Sequence, residues 1–507
     1  MRLVPTPLAA SLAWPAPRAC VPDPRLFEAV VAPAGVAASL ARLREPGAVV
    51  VTTGQQPGLF TGPLYTVFKA LSAVALARAL EAAWRRPVVP VFWLATDDHD
   101  FVEANRAAWP TPDGGVRDWV LRERPAQAPL TPMYREVLGG DVDAALAQLS
   151  ADLDGVSGRD EVLEWLGRHY HPEATVGTAY GGALAELLAP YGVICLDAGH
   201  RALKQLAAPW MLRALAGSVA LERDLLPLAA DLAARRLDPG VAIGDGATLV
   251  FVEGREGRDR LVRQGDRFVA RRGGESFSLD DLSAIAAASP ERLSPNVLLR
   301  PVVESALVPT VAYVAGPGEL RYLALTPPVY EALDVRRQLP VPRWSGIIVE
   351  PRVDRVLGKF GLALDDLLAA EGVAEGRLIR DQLPAEVTGP TERLRQALER
   401  EYSALASGAA GIDPTLERAV LGVRGQAQHA LDEMERKVMQ HLKRRRETEM
   451  GQLARMRAAV RPLGRPQERV YTVAPFLARL GPGLIDELLS AISAWYGSAL
   501  VGPPPPA

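Results

Sequence analysis

From about residue 47 the chain alternates short β-rich apolar runs with longer stretches of helical spacing. AVVVTTGQQ is a run of Val and Thr closing on a glycine, and the PLYTVFKALSAVALARALEAAWRR that follows places Leu, Phe, Ala and Val three and four apart. PVVPVFWLATDDHD repeats the scheme, as do YGVICLDAG before HRALKQLAAPWMLRALA and VPTVAYVAGPG before ELRYLAL. This rhythm predicts an α/β fold with a parallel sheet covered by helices. Two stretches interrupt it. Residues 105–180 carry Pro- and Gly-rich turns and an acidic amphipathic segment, DVDAALAQLSADLDGV, and read as a mixed insertion. Residues 240–280 alternate apolar and polar positions between glycine turns, as antiparallel hairpins do, and read as a β-rich insertion. From Pro384 to Arg461 the chain turns long, polar and helical. Leu394, Leu398 and Leu405, then Leu431, Met434, Val438, Leu442, Met450, Leu453, Met456 and Val460, form a stripe that suits two antiparallel helices broken near residues 408–414. Arg446 falls on that stripe. The predicted organisation is a core over 1–384 containing both insertions, a helical arm over 385–461, and a segment over 462–507 that returns to the core and ends in an unstructured GPPPPA tail.

Composition narrows the class. Of 507 residues, 48% are hydrophobic and 23% charged, which excludes wholesale disorder and leaves ample material for a large core. Charge is nearly balanced at −3, so there is no global footprint for nucleic acid. Two cysteines, Cys20 and Cys195, exclude a disulfide framework and a four-thiolate zinc site. The amino-terminal apolar stretch is cut by Pro7, Pro15, Pro17 and Arg18, unlike a secretory signal, and no uncharged run reaches the ~20 residues that span a bilayer. These features predict a cytoplasmic protein that contacts neither membrane nor nucleic acid. Residues 443–446, Lys-Arg-Arg-Arg, read first as a solvated helix face.

Three constellations carry candidate chemistry. The first is the loop Thr53 to Pro63 between the first core strand and its helix, with Gly54, Gln55, Gln56, Gly58, Thr61 and Gly62, and with Lys69 about two turns into the helix. Ligands of open α/β sheets sit beyond the carboxyl ends of strands, and a glycine-rich turn lets backbone N–H groups approach an anion. The loop is neither a dinucleotide fingerprint nor a P-loop, and a purely structural turn would look similar. The second is Asp97-Asp98-His99-Asp100, with Glu103 and Asn105 close behind. Carboxylates crowded around one imidazole repel one another, which points to a shifted pKa or to a bound cation or ammonium group, with His99 as a general base. The alternative is that Asp98 or Asp100 caps the next helix. No zinc site is expected, since no His-x₃-His pair occurs. The third pairs Asn296 and Arg300 of SPNVLLRP with Gly316, Gly318, Glu319 and Tyr322 of GPGELRY. If Arg300 is buried it needs a fixed anionic partner. His169, His171 and His200 rank lower as ligands, and Cys195, inside a predicted strand, reads as buried and inert.

Taken in order and spacing, TGQQPGLFTGPLYTVFKALSAVALA, PVVPVFWLATDDHDFVEAN, YGVICLDA, LSPNVLLRPVVESALVPTVAYVAGPGELRYLAL and RPQERVY resemble the BshC family, the cysteine-adding enzymes of bacillithiol biosynthesis, over about residues 47–490. The resemblance implies a Rossmann-like core with connecting insertions, a coiled-coil arm that mediates homodimerisation, and a ligase that adds L-cysteine to the amino group of glucosaminyl malate, the last step of the pathway. Glu304-Ser305 departs from the Gln-Asp usual in the family. The core topology is also similar to that of class I nucleotidyl-transferring enzymes, whose Pro-x-His-x-Gly-His signature has no counterpart here, because Pro63-Leu64-Tyr65-Thr66-Val67-Phe68 lacks both histidines. Forming an amide from a carboxylate needs activation, for which ATP, with Mg²⁺ as a possible companion, is the simplest source. The implied site puts anionic groups on the Gly54–Gly62 loop beside Tyr65 and Lys69, lets Asp97, Asp98 and His99 hold the ammonium and take its proton, and closes the pocket with Asn296 and the Gly316–Gly318 turn. Asp100, Asn105, Arg300, Glu319 and Tyr322 complete the expected set. Two other readings stay open: a nucleotidyltransferase or ligase acting on another amino sugar, and a non-catalytic coiled-coil scaffold with a degenerate nucleotide pocket.

Overall fold

The computed structural model describes residues 1–5, 21–380 and 383–499; Cys20, the broken amino-terminal stretch and the GPPPPA tail lie outside them. The chain divides into two compact units.

The larger unit comprises Leu3–Pro112, Val116–Ile347 and Glu468–Ala507. Along it run β1 (Val49–Gln55), α1 (Tyr65–Trp84), β2 (Val88–Leu94), β3 (Ile194–Asp197) and α2 (Arg201–Ala216). The antiparallel strands β4 (Ala247–Gly254), β5 (Gly257–Gln264), β6 (Arg267–Ala270), β7 (Ser276–Phe277) and β8 (Leu293–Pro295) follow. The last elements to the sheet edge are α3 (Arg300–Leu307), β9 (Thr310–Ala315), α4 (Pro317–Leu323) and β10 (Leu339–Pro342). The core sheet is parallel throughout, in the order β10-β9-β1-β2-β3. Its central strands β1, β2 and β9 are buried along almost their whole length, as expected where a parallel sheet is covered on both faces. Chain order reverses between β1 and β9, which makes the gap beyond their carboxyl ends the topological switch point where open α/β sheets bind ligands.

Helix α1 is buried on every side from Thr66 to Ala77, which explains why small and apolar residues fill it without a polar face. The edge strand β10 has no β-rich signature because prolines 340 and 342 sit in it, and an edge tolerates the missing N–H donors. The second sheet runs β7-β6-β5-β4-β8, so the Ser294-Pro295 motif is its edge strand, pairing Ser294 with Phe251. Three residues are too few for periodicity to show that.

The smaller unit comprises Met1–Arg2, Asp113–Gly115 and Ile348–Gln467. It contains α5 (Ala385–Ala410), α6 (Pro414–Arg445) and α7 (Glu447–Val460). Helices α5 and α6 run antiparallel, tied by Arg395 to Asp432 at 2.7 Å and Glu435 at 3.1 Å, and by Arg424 to Glu399 at 2.8 Å. Arg446, the residue that broke the apolar stripe, leaves helical geometry at φ −115°, ψ 35° and separates α6 from α7. Leu431, Leu453, Met456 and Val460 are buried, whereas Leu394, Leu405 and Met434 remain exposed. Among the described residues no helix is long and apolar enough to cross a membrane.

Candidate active site

A cavity of about 460 Å³ opens within the larger unit at the carboxyl ends of β1, β2 and β9. The glutamine turn and the acidic turn both line it, as do Asn296, Arg300 and the start of α4.

On one side the loop after β1 delivers Gly54, Gln55 and Gln56 to the cavity, with Tyr65 and Lys69 from α1. Gly54 carries no side chain for a steric reason: a Cβ there would stand 2.7 Å from the Trp93 carbonyl oxygen of the neighbouring strand. Lys69 is fully buried, and its ammonium donates to Glu319 Oε2 at 2.6 Å, to the Gly54 carbonyl and to Gln55 Oε1 at 3.3 Å. Glu319 also accepts the Tyr313 hydroxyl at 2.6 Å and the Gly316 N–H at 2.7 Å. Burial alone would raise this carboxyl, but the Lys69 ammonium beside it holds it below the usual carboxylate range. Behind them Arg300, mostly buried, donates to the hydroxyls of Tyr313 and Tyr322 at 3.1 and 3.3 Å and to the carboxyl of Glu304 at Oε2, 3.2 Å away. Glu304 accepts from Thr52 on β1 as well, and burial raises its carboxyl to about 7 against the pull of Arg300. Ser305 meets the Tyr330 hydroxyl at 3.3 Å.

On the other side the acidic turn is organised by its own neighbours. Asp97 is buried and accepts the ammonium of Lys204 at 2.5 Å, so the protein itself supplies the cation expected there from a substrate. Two of the chain's five lysines are thus buried side by side with carboxylates at the ends of core strands. Asp98 Oδ1 accepts the backbone N–H groups of His99 at 2.6 Å and Asp100 at 3.1 Å, and Asp100 caps the short helix Phe101–Ala104 through the Glu103 N–H. The capping reading therefore holds for Asp100 while both carboxylates still line the cavity. His99 Nδ1 meets Nη1 of Arg258 at 3.0 Å. A guanidinium can only donate, so Nδ1 accepts and the ring proton resides on Nε2. Burial, then the adjacent Arg258 charge, brings the ring down to about 4. Neutral imidazole with its free-electron nitrogen already engaged is a donor at this site, and the expectation of a proton-accepting His99 does not fit that geometry.

Gly58, Thr61, Gly62 and Asn105 stand outside the cavity lining. Phe60, Thr61 and Gly62 take positive φ of 52°, 70° and 71° in succession, and a Cβ on Gly58 would come within 2.7 Å of the Gly62 Cα. This strained turn is locked by Tyr170, whose hydroxyl accepts the Thr61 N–H at 2.7 Å and donates to the Gly58 carbonyl at 3.2 Å, and by Thr472, which donates to the Phe60 carbonyl at 2.6 Å. Half of the presumed anion loop is therefore a clamp that orients α1. Asn105 closes the short helix and donates to the Arg122 carbonyl at 2.7 Å. His169 and His171 meet Glu186 and Glu173, His200 caps α2, and the Cys195 thiol is pushed up to about 12 by burial.

Pattern reasoning missed Phe251, Arg258, Arg260, Arg343 and Arg469, all of which line the cavity. Arg343 follows the unrecognised edge strand and forms a two-pronged pair with Glu468, 2.8 Å on one prong. Arg469 lies in RPQERVY, whose Glu-Arg pair was the available signal. Gln56 donates to Glu103 at 2.5 Å and Tyr65 donates to it at 3.2 Å, linking the two turns directly. Among the described residues no group of three His, Cys, Asp or Glu is arranged to hold a metal ion.

Comparison with known proteins agrees with this architecture. Residues 27–344 match the family described as "Bacillithiol biosynthesis BshC, N-terminal Rossmann-like domain", and residues 346–497 match "Bacillithiol biosynthesis BshC, C-terminal coiled-coil domain". The chain belongs to the BshC family. Proteins named "Putative cysteine ligase BshC" are similar to it at full scale: that of Prosthecochloris aestuarii is 30% identical, covering 90% of this chain and 83% of the relative. The corresponding protein of Symbiobacterium thermophilum is 32% identical, covering 89% and 83%, and that of Heliobacterium modesticaldum 33%, covering 90% and 83%. The BshC chain is thus a ligase-family enzyme with a Rossmann-like core and a coiled-coil domain.

Proposed function

We propose that this cytoplasmic enzyme joins the carboxyl group of L-cysteine to the amino group of glucosaminyl malate, with ATP as the source of activation and Mg²⁺ accompanying its phosphates. The observation that carries the reading is the meeting of the glutamine turn and the acidic turn in one cavity at the switch point of the sheet. ATP, when bound, converts the cysteine carboxylate into an electrophile; Arg343 and Arg469 are cations at the cavity suited to its phosphates. Asp98 and Asp100 form the acidic wall against which the sugar ammonium is held and to which its proton passes, with Glu103 behind them holding Gln56 and Tyr65. Gln55 and Gln56 position polar substrate groups. Holding both reactants in register can supply up to ~7–11 kcal/mol of the barrier reduction, so placement outweighs any one base. Mass spectrometry of products from purified protein, L-cysteine, glucosaminyl malate and ATP tests the reading. Absence of a cysteinyl adduct, or an adduct only with another amino sugar, would reject it, and the ratio of AMP to ADP formed reports the mode of activation.

Two predictions follow from particular residues. His99→Ala lowers kcat by about tenfold or less, short of the 10²–10⁴-fold typical of losing a general base, because Nδ1 is already occupied by the Arg258 guanidinium and the other ring nitrogen carries the proton. Steady-state kinetics across pH 6–9 checks this, and a loss of three orders of magnitude would restore the base role. We also read Leu394, Leu405 and Met434, exposed on the antiparallel arm, as part of a homodimer seam. Sedimentation at micromolar concentration is expected to show a dimer, and Leu394→Glu combined with Leu405→Glu to show a monomer.

A further inference from the structure

The cavity contains five guanidinium groups and one ammonium, and the protein compensates them unequally. Lys69 is paired with Glu319, Arg300 with Glu304 and Arg343 with Glu468, while Arg469 is exposed to solvent. Arg258 and Arg260 differ. They lie two apart on β5, on the same face of the strand, and Arg260 stands directly across from Phe251 of β4. Both guanidinium groups rest on that ring, with centroid distances of 4.0 Å for Arg258 and 5.4 Å for Arg260. Arg258 is only 8% exposed, yet its hydrogen-bond acceptors are neutral: Ser294 Oγ at 2.7 Å, the Pro295 carbonyl at 3.0 Å and His99 Nδ1 at 3.0 Å. The nearest carboxylate oxygen, on Asp98, is 4.0 Å from Nη1. Among the described residues Arg260 has no carboxylate within ion-pair distance. Its guanidinium is depressed by burial and by the like charges of Arg271 and Arg258. A buried guanidinium held by neutral acceptors, with a second, partly exposed guanidinium beside it on the same aromatic face, leaves positive charge at the cavity wall that an anion would offset.

We propose that Arg258 and Arg260, seated on Phe251, form the subsite that receives a pair of substrate carboxylates. Two planar forks one strand repeat apart, ~7 Å between Cα atoms, match two carboxylates on neighbouring carbons better than a single compact phosphate. Ser294, Pro295 and His99 hold Arg258 in place, so the SPN edge strand and the acidic turn contribute to specificity through that residue. The inference deepens the reading of the cavity as the ligase site, since the malyl group of the amino-sugar substrate is such a dicarboxylate, and it orients that substrate with its acid end on the β-rich insertion and its amine toward Asp98 and Asp100.

Calorimetric titration of the full chain with L-malate, succinate and inorganic phosphate tests it without reference to turnover. Arg260→Ala, the less buried of the two and confirmed as folded by its thermal transition, is expected to weaken L-malate and succinate at least tenfold, and Arg260→Lys to recover part of the loss. In kinetics the same variant raises KM for glucosaminyl malate with little change in KM for L-cysteine. Unchanged L-malate affinity in Arg260→Ala, or no dicarboxylate binding by the unaltered protein at millimolar concentration, overturns the subsite. Weakening confined to phosphate also overturns it and reassigns the pair to a phosphate group. Dicarboxylate binding that depends on Arg260 in a protein forming no cysteinyl adduct would uphold the subsite and reject the ligase reading, so the two failures are distinguishable.

Discussion

Lys69→Met is expected to destabilise the α/β core by up to about 3–5 kcal/mol, because it strands Glu319 as a mostly buried carboxylate facing Tyr313 and the Gly316 amide without its ammonium partner. The effect arises from asymmetry: two buried charges removed together leave a surface of nearly the same shape, whereas one removed alone leaves the other's desolvation uncompensated. The double variant Lys69→Met with Glu319→Leu is therefore expected to recover much of the lost stability and none of the activity, since Lys69 also holds the Gly54 carbonyl and Gln55 at the cavity. Chemical denaturation of the three variants beside the unaltered chain measures this. Equal losses in single and double variants would mean that the pair is not coupled. Lys204 and Asp97 form the equivalent pair at the acidic turn, and the same comparison applies there.

The second large effect is a pH dependence. Glu304 is fully buried, and burial raises its carboxyl from 4.5 to about 7 despite Arg300 and Thr52. Between these values the unfolded chain has lost the proton while the folded chain keeps it. Stability therefore falls as pH rises from about 4.5 to 7, by an amount of the order of 3 kcal/mol, and the deficit persists above that window. Glu304→Gln removes the titration. The glutamine amide oxygen can still accept from Arg300. The variant is expected to match the unaltered chain near pH 4.5 and to exceed it by up to about 3 kcal/mol at pH 8. Denaturation midpoints taken at intervals across that range decide the matter; curves that stay parallel would show that Glu304 is ionised in the fold throughout.

Much of the architecture was readable along the chain because its elements are locally determined. The Val-rich run 49–53 and the buried Ala and Leu of α1 announce a covered parallel strand and a central helix without reference to anything distant. The helical arm was equally plain, down to Arg446, whose interruption of the apolar stripe coincides with the end of α6. The two polar turns were visible because strand ends in such sheets are where polar residues have no structural excuse. Less readable were β8 and β10, too short or too proline-rich to show a period, and with them the placement of Ser294 and Arg343.

Residue order along the chain was sufficient for the class of fold and the family, and for pointing to the strand ends where a cavity lies. It could not assign partners. Whether Asp97 awaits a substrate ammonium or already holds Lys204, and whether His99 accepts a proton or donates one, depends on side chains 107 and 159 positions away. Secondary structure follows from interactions between near neighbours, whereas the charge state of a buried group follows from whatever the fold brings within a few ångströms of it, and only the assembled tertiary structure specifies that.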